Sequence, residues 1–182
     1  NNHNISTRAS KYYSKIKSNI TLNATFNLQS FQQLLNNNLT DIKNQSLVVG
    51  NKIDTDITDK MNVEYQANWT FSKNKTQNQD NPTVTLQSHI LNLNIYPAKN
   101  QYFAVKWEYI NNNLFTERTE NLFTDLIYRY TISKKKIDLE FQLSNLFNTT
   151  NYRTINISDF SYIETNFNLR PRQVLFKIRF TL

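Results

Sequence analysis

Leu169-Arg170-Pro171-Arg172-Gln173-Val174-Leu175-Phe176-Lys177-Ile178-Arg179-Phe180-Thr181-Leu182, the last stretch of the chain, alternates. Val174, Phe176, Ile178, Phe180 and Leu182 are all apolar, and Lys177, Arg179 and Thr181 fall between them, with Leu175 the one exception. A two-residue period gives a strand one oily face and one wet face. The Arg-Pro-Arg lead-in sets off its start, because proline fixes the backbone and cannot donate to a ladder.

Working back from this strand, seven more segments follow the same rule. Ile16 to Leu28 sets Ile20, Leu22, Ala24, Phe26 and Leu28 against Asn19, Thr21, Asn23, Thr25 and Asn27. Leu47 to Ile57 sets Leu47, Val49 and Ile53 against Lys52, Asp54 and Asp56. Met61 to Phe71 is apolar at Met61, Val63, Tyr65, Ala67, Trp69 and Phe71. Thr83 to Pro97 begins in even register (Val84, Leu86) and ends in odd (Leu91, Leu93, Ile95), which predicts a β-bulge near Ser88 to Ile90. Phe103 to Tyr109, Leu122 to Ile132 and Ile137 to Leu143 complete the set. No helical period of useful length competes, so the chain reads as all-β and antiparallel, with about eight up-and-down strands.

Connections alternate in length. Asp59-Lys60, Ala98-Lys99-Asn100 and Ser133 to Lys136 read as tight turns; Gln29 to Ser46, Lys73 to Pro82, Ile110 to Glu120 and Asn148 to Arg172 read as longer polar links. Short turns on one rim and long links on the other are the habit of bacterial outer-membrane barrels. That geometry puts the C-terminus on the short-turn, periplasmic side.

The charge pattern carries the same message. A net charge of +7 invites a nucleic-acid reading. Yet every Lys, Arg, Asp and Glu in the eight strand cores falls on the wetter face, including Lys52, Glu64, Lys106, Glu108, Asp125, Arg129, Asp138, Glu140, Lys177 and Arg179. A charge at mid-depth on a lipid-facing wall costs about 2–4 kcal/mol, so such exclusion is expected of a membrane barrel. Mean hydropathy of −0.63 does not oppose this, because only alternate residues need be apolar. Register counted from the Ser133–Lys136 turn sets Arg129 opposite Glu140 and Arg179 on Glu140's other side. The expected result is an inward ion-pair ladder of Arg129, Asp138, Glu140, Lys177 and Arg179. A soluble β-sandwich has the same binary pattern with inside and outside exchanged. Strand lengths, aromatic residues near strand ends (Trp69, Phe71, Tyr96, Tyr102, Tyr109, Tyr128, Tyr130) and the alternating turns favour the membrane.

Other chemistry finds no footing. There is no Cys and one Gly, so neither thiolate metal sites nor a glycine-rich phosphate loop is available. His3 and His89 stand far from any second ligand, and no cofactor is expected. The pairs Asp54/Asp56 and Asp138/Glu140 imitate acid–base pairs but read as wall charges, and the chain is expected not to be an enzyme. No apolar run reaches the length of a transmembrane helix, and the residues from Asn1 onward do not read as the basic, apolar and small-residue segments of a signal peptide. Asn1 is not a start methionine, which suggests a piece of something longer.

Asn145-Leu146-Phe147-Asn148 ends the seventh strand, a link containing Tyr152 follows, and Arg170-Pro171-Arg172 opens the last strand. This arrangement resembles the C-terminal end of TonB-dependent receptors, in the Asn-, Lys-, Ile- and Tyr-rich style of the Bacteroidota. The resemblance implies a plug inside a barrel of about 22 strands. Residues 1–182 would be the C-terminal portion of that barrel, about its last third, with the plug absent. It further implies active import of a nutrient such as a siderophore, glycan or peptide across the outer membrane of a Gram-negative bacterium. Implied partners are outer-membrane lipid, the barrel-assembly machinery, the remaining strands and plug, TonB through that plug, and a surface lipoprotein; nucleic acid is not among them. Val174, Phe176, Ile178, Phe180 and Leu182 would form the strand that the assembly machinery reads, with Phe180 standing in for the usual terminal aromatic. Glu117, Arg118, Tyr152 and Arg153 on the long-link rim are candidate solute contacts. Two alternatives stay open at this point: a complete small eight-stranded barrel with a structural or adhesive role, and a soluble β-sandwich binding module.

Overall fold

The computed structural model describes residues 1–182 apart from 36–37, 77–78, 81, 114–118, 158–161 and 181–182. Its strands are β1 (Asn2–Tyr13), β2 (Ser18–Leu35), β3 (Asn38–Thr58), β4 (Met61–Thr76), β5 (Gln79–Asp80) and β6 (Val84–Ile95). They continue with β7 (Gln101–Asn112), β8 (Thr119–Ile132), β9 (Ile137–Ser144), β10 (Asn151–Ile157), β11 (Tyr162–Asn168) and β12 (Gln173–Phe180). Neighbours in sequence pair antiparallel in the order β1-β2-β3-β4-β6-β7-β8-β9-β12, with β5 added to the end of β4 and β10–β11 forming a separate hairpin. The chain is therefore an all-β, up-and-down antiparallel sheet, as the alternation dictates.

Three expectations need correction. A strand precedes the first predicted one: β1 pairs with β2 from Asn2↔Gln29 to Tyr13↔Ser18. The bulge near Ser88 is absent, since β6 keeps one unbroken register with both β4 and β7. The links at Gln29–Ser46 and Asn148–Arg172 contain sheet: β2 and β3 stay paired out to Leu35↔Asn38, and β10 pairs with β11. Among the described residues no second layer packs against the sheet, and its two edge strands do not pair with each other. β1 pairs only with β2, and β12 only with β9.

The sheet's two faces differ sharply. One carries Leu22, Phe26, Leu47, Val49, Phe71, Phe141, Val174, Phe176, Ile178 and Phe180, all exposed. On β4 this oily face runs from Met61 to Phe71, then gives way to Lys73 and Lys75. Ten steps at about 3.3 Å make about 33 Å along the strand. β2, β3 and β4 run on past the band, where the binary rule stops: Asp41, Lys43, Lys73 and Lys75 occupy positions of oily-face parity there. The same exit explains β6, where His89, Gln87 and Thr85 follow Leu91 on the oily face. The change from odd to even apolar positions marks the edge of the band rather than a bulge.

The band is not level with the ladder. The rung that starts at Ser18, the first residue of β2, crosses through Thr55, Val63, Leu93, Val105 and Leu126 to Leu143. β9 itself begins at Ile137, six residues before Leu143. The tight-turn rim thus drops one residue per strand crossed. With about 3.3 Å per residue and about 4.8 Å between strands, that slope is a tilt of about 35°.

Candidate functional site

The wet face divides into two regions. Over β8, β9 and β12 it is charged. Arg129 of β8 stands opposite Glu140 of β9 and donates to its Oε2 from Nε at 3.1 Å and from Nη2 at 2.9 Å. On the other side Lys177 pairs with Glu140, its Nζ donating to Oε1 at 3.2 Å and to Gln142 Oε1 at 2.8 Å. This corrects the expected partner: β12 pairs two residues away from the expected register, so Arg179 faces Asp138. Asp138 also accepts from Thr131 Oγ1 at 2.7 Å. Glu140 is 8% exposed, and two cations and three donated hydrogen bonds hold it there. The Arg129 guanidinium lies 5.3 Å from the centre of the Tyr102 ring, so Tyr102 belongs to the wet face and not to an aromatic girdle. Its hydroxyl donates to Asn94 Oδ1 at 2.8 Å.

Over β1 to β4 the wet face is largely neutral. Ser6 meets Thr25 at 3.2 Å, Ser10 meets Thr21 at 2.9 Å, and Asn4 bonds Asn27. At its centre stands Gly50, the single glycine of the chain, paired with Asn23 on one side and Asn68 on the other. A Cβ on residue 50 would lie 2.6 Å from both Asn23 Oδ1 and Asn68 Oδ1, so the missing side chain is what lets the two carboxamides close over the backbone. The depression beside it has a volume of about 200 Å³ and is lined by Arg8, Thr21, Asn23, Lys52, Gln66 and Asn68, among others. Lys52 is paired with Glu64 at 3.2 Å. Asn62 Nδ2 bridges the carboxylate pair, donating to Asp54 Oδ1 at 2.9 Å and to Asp56 Oδ1 at 3.0 Å.

The two short motifs that carry the family resemblance come together. Asn145 and Asn148 both adopt positive φ (54° and 56°), a conformation asparagine tolerates better than most residues. The Asn145 N–H donates to Asp125 Oδ1 at 2.9 Å. Its side-chain amide donates to the carbonyls of Thr149 (2.8 Å) and Arg170 (3.1 Å), and its Oδ1 accepts from Thr149 N at 2.8 Å. Asn148 Oδ1 accepts from the Arg172 N–H at 2.9 Å. Asn145-Leu146-Phe147-Asn148 is therefore a clasp that receives Arg170-Pro171-Arg172 and aims β12 along β9. Pro171, with no N–H, leaves no donor unmet in the lead-in.

The β10–β11 hairpin springs from this clasp and lies toward the wet face of β8. The Tyr152 ring packs 6.0 Å from Phe123 and 5.0 Å from Phe167. The Arg153 carbonyl accepts from Asn121 Nδ2 at 3.0 Å. The Tyr152 ring and the Arg153 backbone, in the two described residues of the four expected as solute contacts, hold the hairpin against β8. Glu117 and Arg118 lie outside the described residues, as does Leu182. Val174, Phe176, Ile178 and Phe180 share the oily face of β12 and are exposed.

On the oily face, sequence reading missed a cluster around His89. Its Nδ1 is 2.8 Å from the Tyr65 hydroxyl, the Trp69 ring meets it edge-on at 5.4 Å, and Tyr109 lies at 6.0 Å. Above it Asn111 Nδ2 donates to the Tyr109 hydroxyl at 2.7 Å and to Glu120 Oε1 at 3.2 Å. These amphipathic rings mark the end of the oily band away from the tight turns. Among the described residues no cluster of three or more His, Cys, Asp or Glu is placed to hold a metal.

No family model matches the chain, and no curated protein is similar to it. Among solved structures it is similar to OmpT (in-vitro folded), an outer membrane protein of Vibrio cholerae, with 12% sequence identity and a TM-score of 0.48. The alignment covers 97% of this chain and 54% of that one, so the chain spans about half the length of the structure it matches.

Proposed function

We propose that the chain is a wall segment of an outer-membrane β-barrel, the C-terminal portion of a receptor resembling the TonB-dependent kind, and that it serves nutrient import without catalysis. One observation carries the membrane part: the slanted oily band. A strip of about 33 Å along strands tilted by about 35° stands about 27 Å tall, close to the apolar belt of about 25 Å on outer-membrane barrels. An exposed apolar face of this size, with no layer packed on it, is otherwise expected at a protein interface. The slope adds the strand tilt expected of a barrel wall.

The receptor part rests on the Asn145–Asn148 clasp with Arg170–Arg172, and on the open edges. Unpaired N–H and C=O groups along β1 and β12 cannot face lipid, so further strands must meet them. In this reading the wet face lines the lumen, the β10–β11 hairpin narrows it, and the depression at Gly50 offers a polar solute amide and hydroxyl partners. The tight turns then lie in the periplasm and the β2–β3 extension in the medium outside. Removal of the gene, with and without TonB-derived energy, tests the import reading through solute uptake. Loss of one uptake activity in energised cells, an activity that cells lacking TonB-derived energy do not show even with the gene present, supports it; unchanged uptake across all solutes overturns it. Heat-modifiable migration of the protein extracted in detergent tests the barrel.

A further inference from the structure

The rim of tight turns carries a charge pattern that the import reading does not use. Its turns hold Lys15, Lys17, Lys60, Lys99, Lys134, Lys135 and Lys136 against a single acid, Asp59. Lys17 pairs with Asp59 at 3.0 Å, and Lys60 Nζ donates to the Pro97 carbonyl at 3.4 Å. Among the described residues nothing engages the ammonium groups of Lys15, Lys99, Lys134, Lys135 or Lys136.

The backbone says that lysine itself is wanted there. Ser14-Lys15-Ile16-Lys17 and Ser133-Lys134-Lys135-Lys136 form the same turn, a short 3-10 segment closed by a left-handed lysine (Lys17 φ 46°, Lys136 φ 51°). On the opposite rim the left-handed positions are filled by Asn145 and Asn148. Asparagine is the easier residue at such φ, and this chain uses it freely elsewhere. Lysine at both turn positions of one rim, and at neither on the other, points to a demand for its charge.

The surroundings name the partner. Toward the tight-turn end of the oily face stand the exposed tyrosines Tyr13 and Tyr130, and beyond them the lysines. Hydrocarbon, amphipathic ring and cation in that order match acyl chains, interface and headgroup. Lys11, the one charge on the oily face within the band, leans its ammonium over the Tyr13 ring, 5.1 Å from its centre and toward the rim. We propose that this rim is a seat for the phosphate headgroups of anionic phospholipid in the adjacent leaflet. Lysine suits the task as a compact point charge that phosphate accepts from any direction. Each lysine near an anionic surface is worth about fivefold in binding, falling off within a Debye length.

The proposal rests on the membrane reading, and its test separates the two. Folded protein in neutral detergent is mixed with phosphatidylglycerol, phosphatidylcholine or inorganic phosphate, and the retained lipid is counted by native mass spectrometry. The wild type is expected to keep phosphatidylglycerol over phosphatidylcholine by at least tenfold, less so in high salt, with millimolar phosphate failing to compete. The variant K15Q/K17N/K134Q/K135Q/K136N is expected to hold the two lipids equally. An unchanged preference in that variant, or displacement of lipid by free phosphate, overturns the seat. Should the fivefold variant not fold, K17N/K136N decides, because asparagine fits both turns. At least a threefold loss is expected, and none overturns the proposal. A wild type that folds without detergent or lipid overturns the membrane reading itself, whereas one that binds lipid without regard to headgroup overturns only the seat.

Discussion

At the β1–β4 end of the sheet the wet face is built mainly from amides and hydroxyls, with Lys52, Glu64, Asp54 and Asp56 among them, and at the β8–β12 end mainly from charges. Both regions alternate with the same oily face, so the period alone does not distinguish them. Their partners do. Asn23 and Asn68 crowd over a bare backbone at Gly50 and leave a depression beside it. Arg129, Glu140 and Lys177 are consumed by one another and fasten three strands. The first region has hydrogen-bonding capacity to spare, and the second spends its capacity on holding the last strand in register. The ionic fastening falls where the last strand has eight residues and, among the described residues, one neighbour.

The contrast can be broken most severely from the oily side. Phe176→Lys puts a charge in the middle of the band and should cost about 2–4 kcal/mol, enough to prevent assembly of an edge strand. Heat-modifiable migration reads the loss, and a variant that assembles normally removes the lipid-facing assignment of β12. Next comes Glu140→Ala, which strands Arg129 and Lys177 opposite one another. A loss of about 2–3 kcal/mol in denaturant titration is expected, with detachment of β12 preceding the rest. Asn145→Ala should cost about 1–2 kcal/mol, because three side-chain hydrogen bonds and a tolerant left-handed residue go together. Gly50→Ala sharpens the other half of the comparison. The crowded groups are the ends of flexible side chains and alanine stiffens the unfolded chain, so stability should move by less than about 1 kcal/mol. Solute retention at the β1–β4 end, measured by titration calorimetry, should nevertheless fall, and a binding curve equal to wild type removes that region as a site.

The smallest effect lies outside both regions. Lys17 holds the Asp59 carboxyl below its ordinary range, chiefly through their hydrogen bond, and Asp59 in turn raises the Lys17 ammonium. The depressed Asp59 contributes above the unfolded carboxyl's pKa and ceases to as pH falls through its folded value. The raised Lys17 contributes below the unfolded ammonium's pKa and ceases to as pH rises through its folded value. Stability of the first hairpins should therefore be flat through neutrality and soften slightly at both extremes. Asp59→Asn should remove the acid limb, as followed by hydrogen exchange at Asp56 N, which bonds to Lys17 O.

How much of this was legible in the residues depends on where the bilayer would constrain them. Within the band, face assignment from Leu22 to Phe180 follows from alternation, because a misplaced charge is costly there. Beyond the band the rule lapses: Asp41, Lys43, Lys73 and Lys75 take either face, and the extended β2–β3 hairpin looks like a polar link. β1 escaped notice for a related reason. Only Ile5, Ala9 and Tyr13 mark its oily parity, with His3, Thr7 and Lys11 between them. The available clue was the turn, since Ser14-Lys15-Ile16-Lys17 repeats Ser133-Lys134-Lys135-Lys136 and so announces a hairpin. The Arg129–Glu140 pairing was countable from a tight turn. The partner on β12 was not, because its register is set across 28 residues by the Asn145 and Asn148 side chains, which no period encodes.

The drop of one residue per strand has a consequence for those charges. Residues joined along a rung do not share a depth, since each strand crossed changes height by about 3 Å when ladders spaced by about 4.8 Å are inclined by about 35°. Arg129, Glu140 and Lys177 are therefore steps of a winding stair, with Lys177 set farthest from the tight turns.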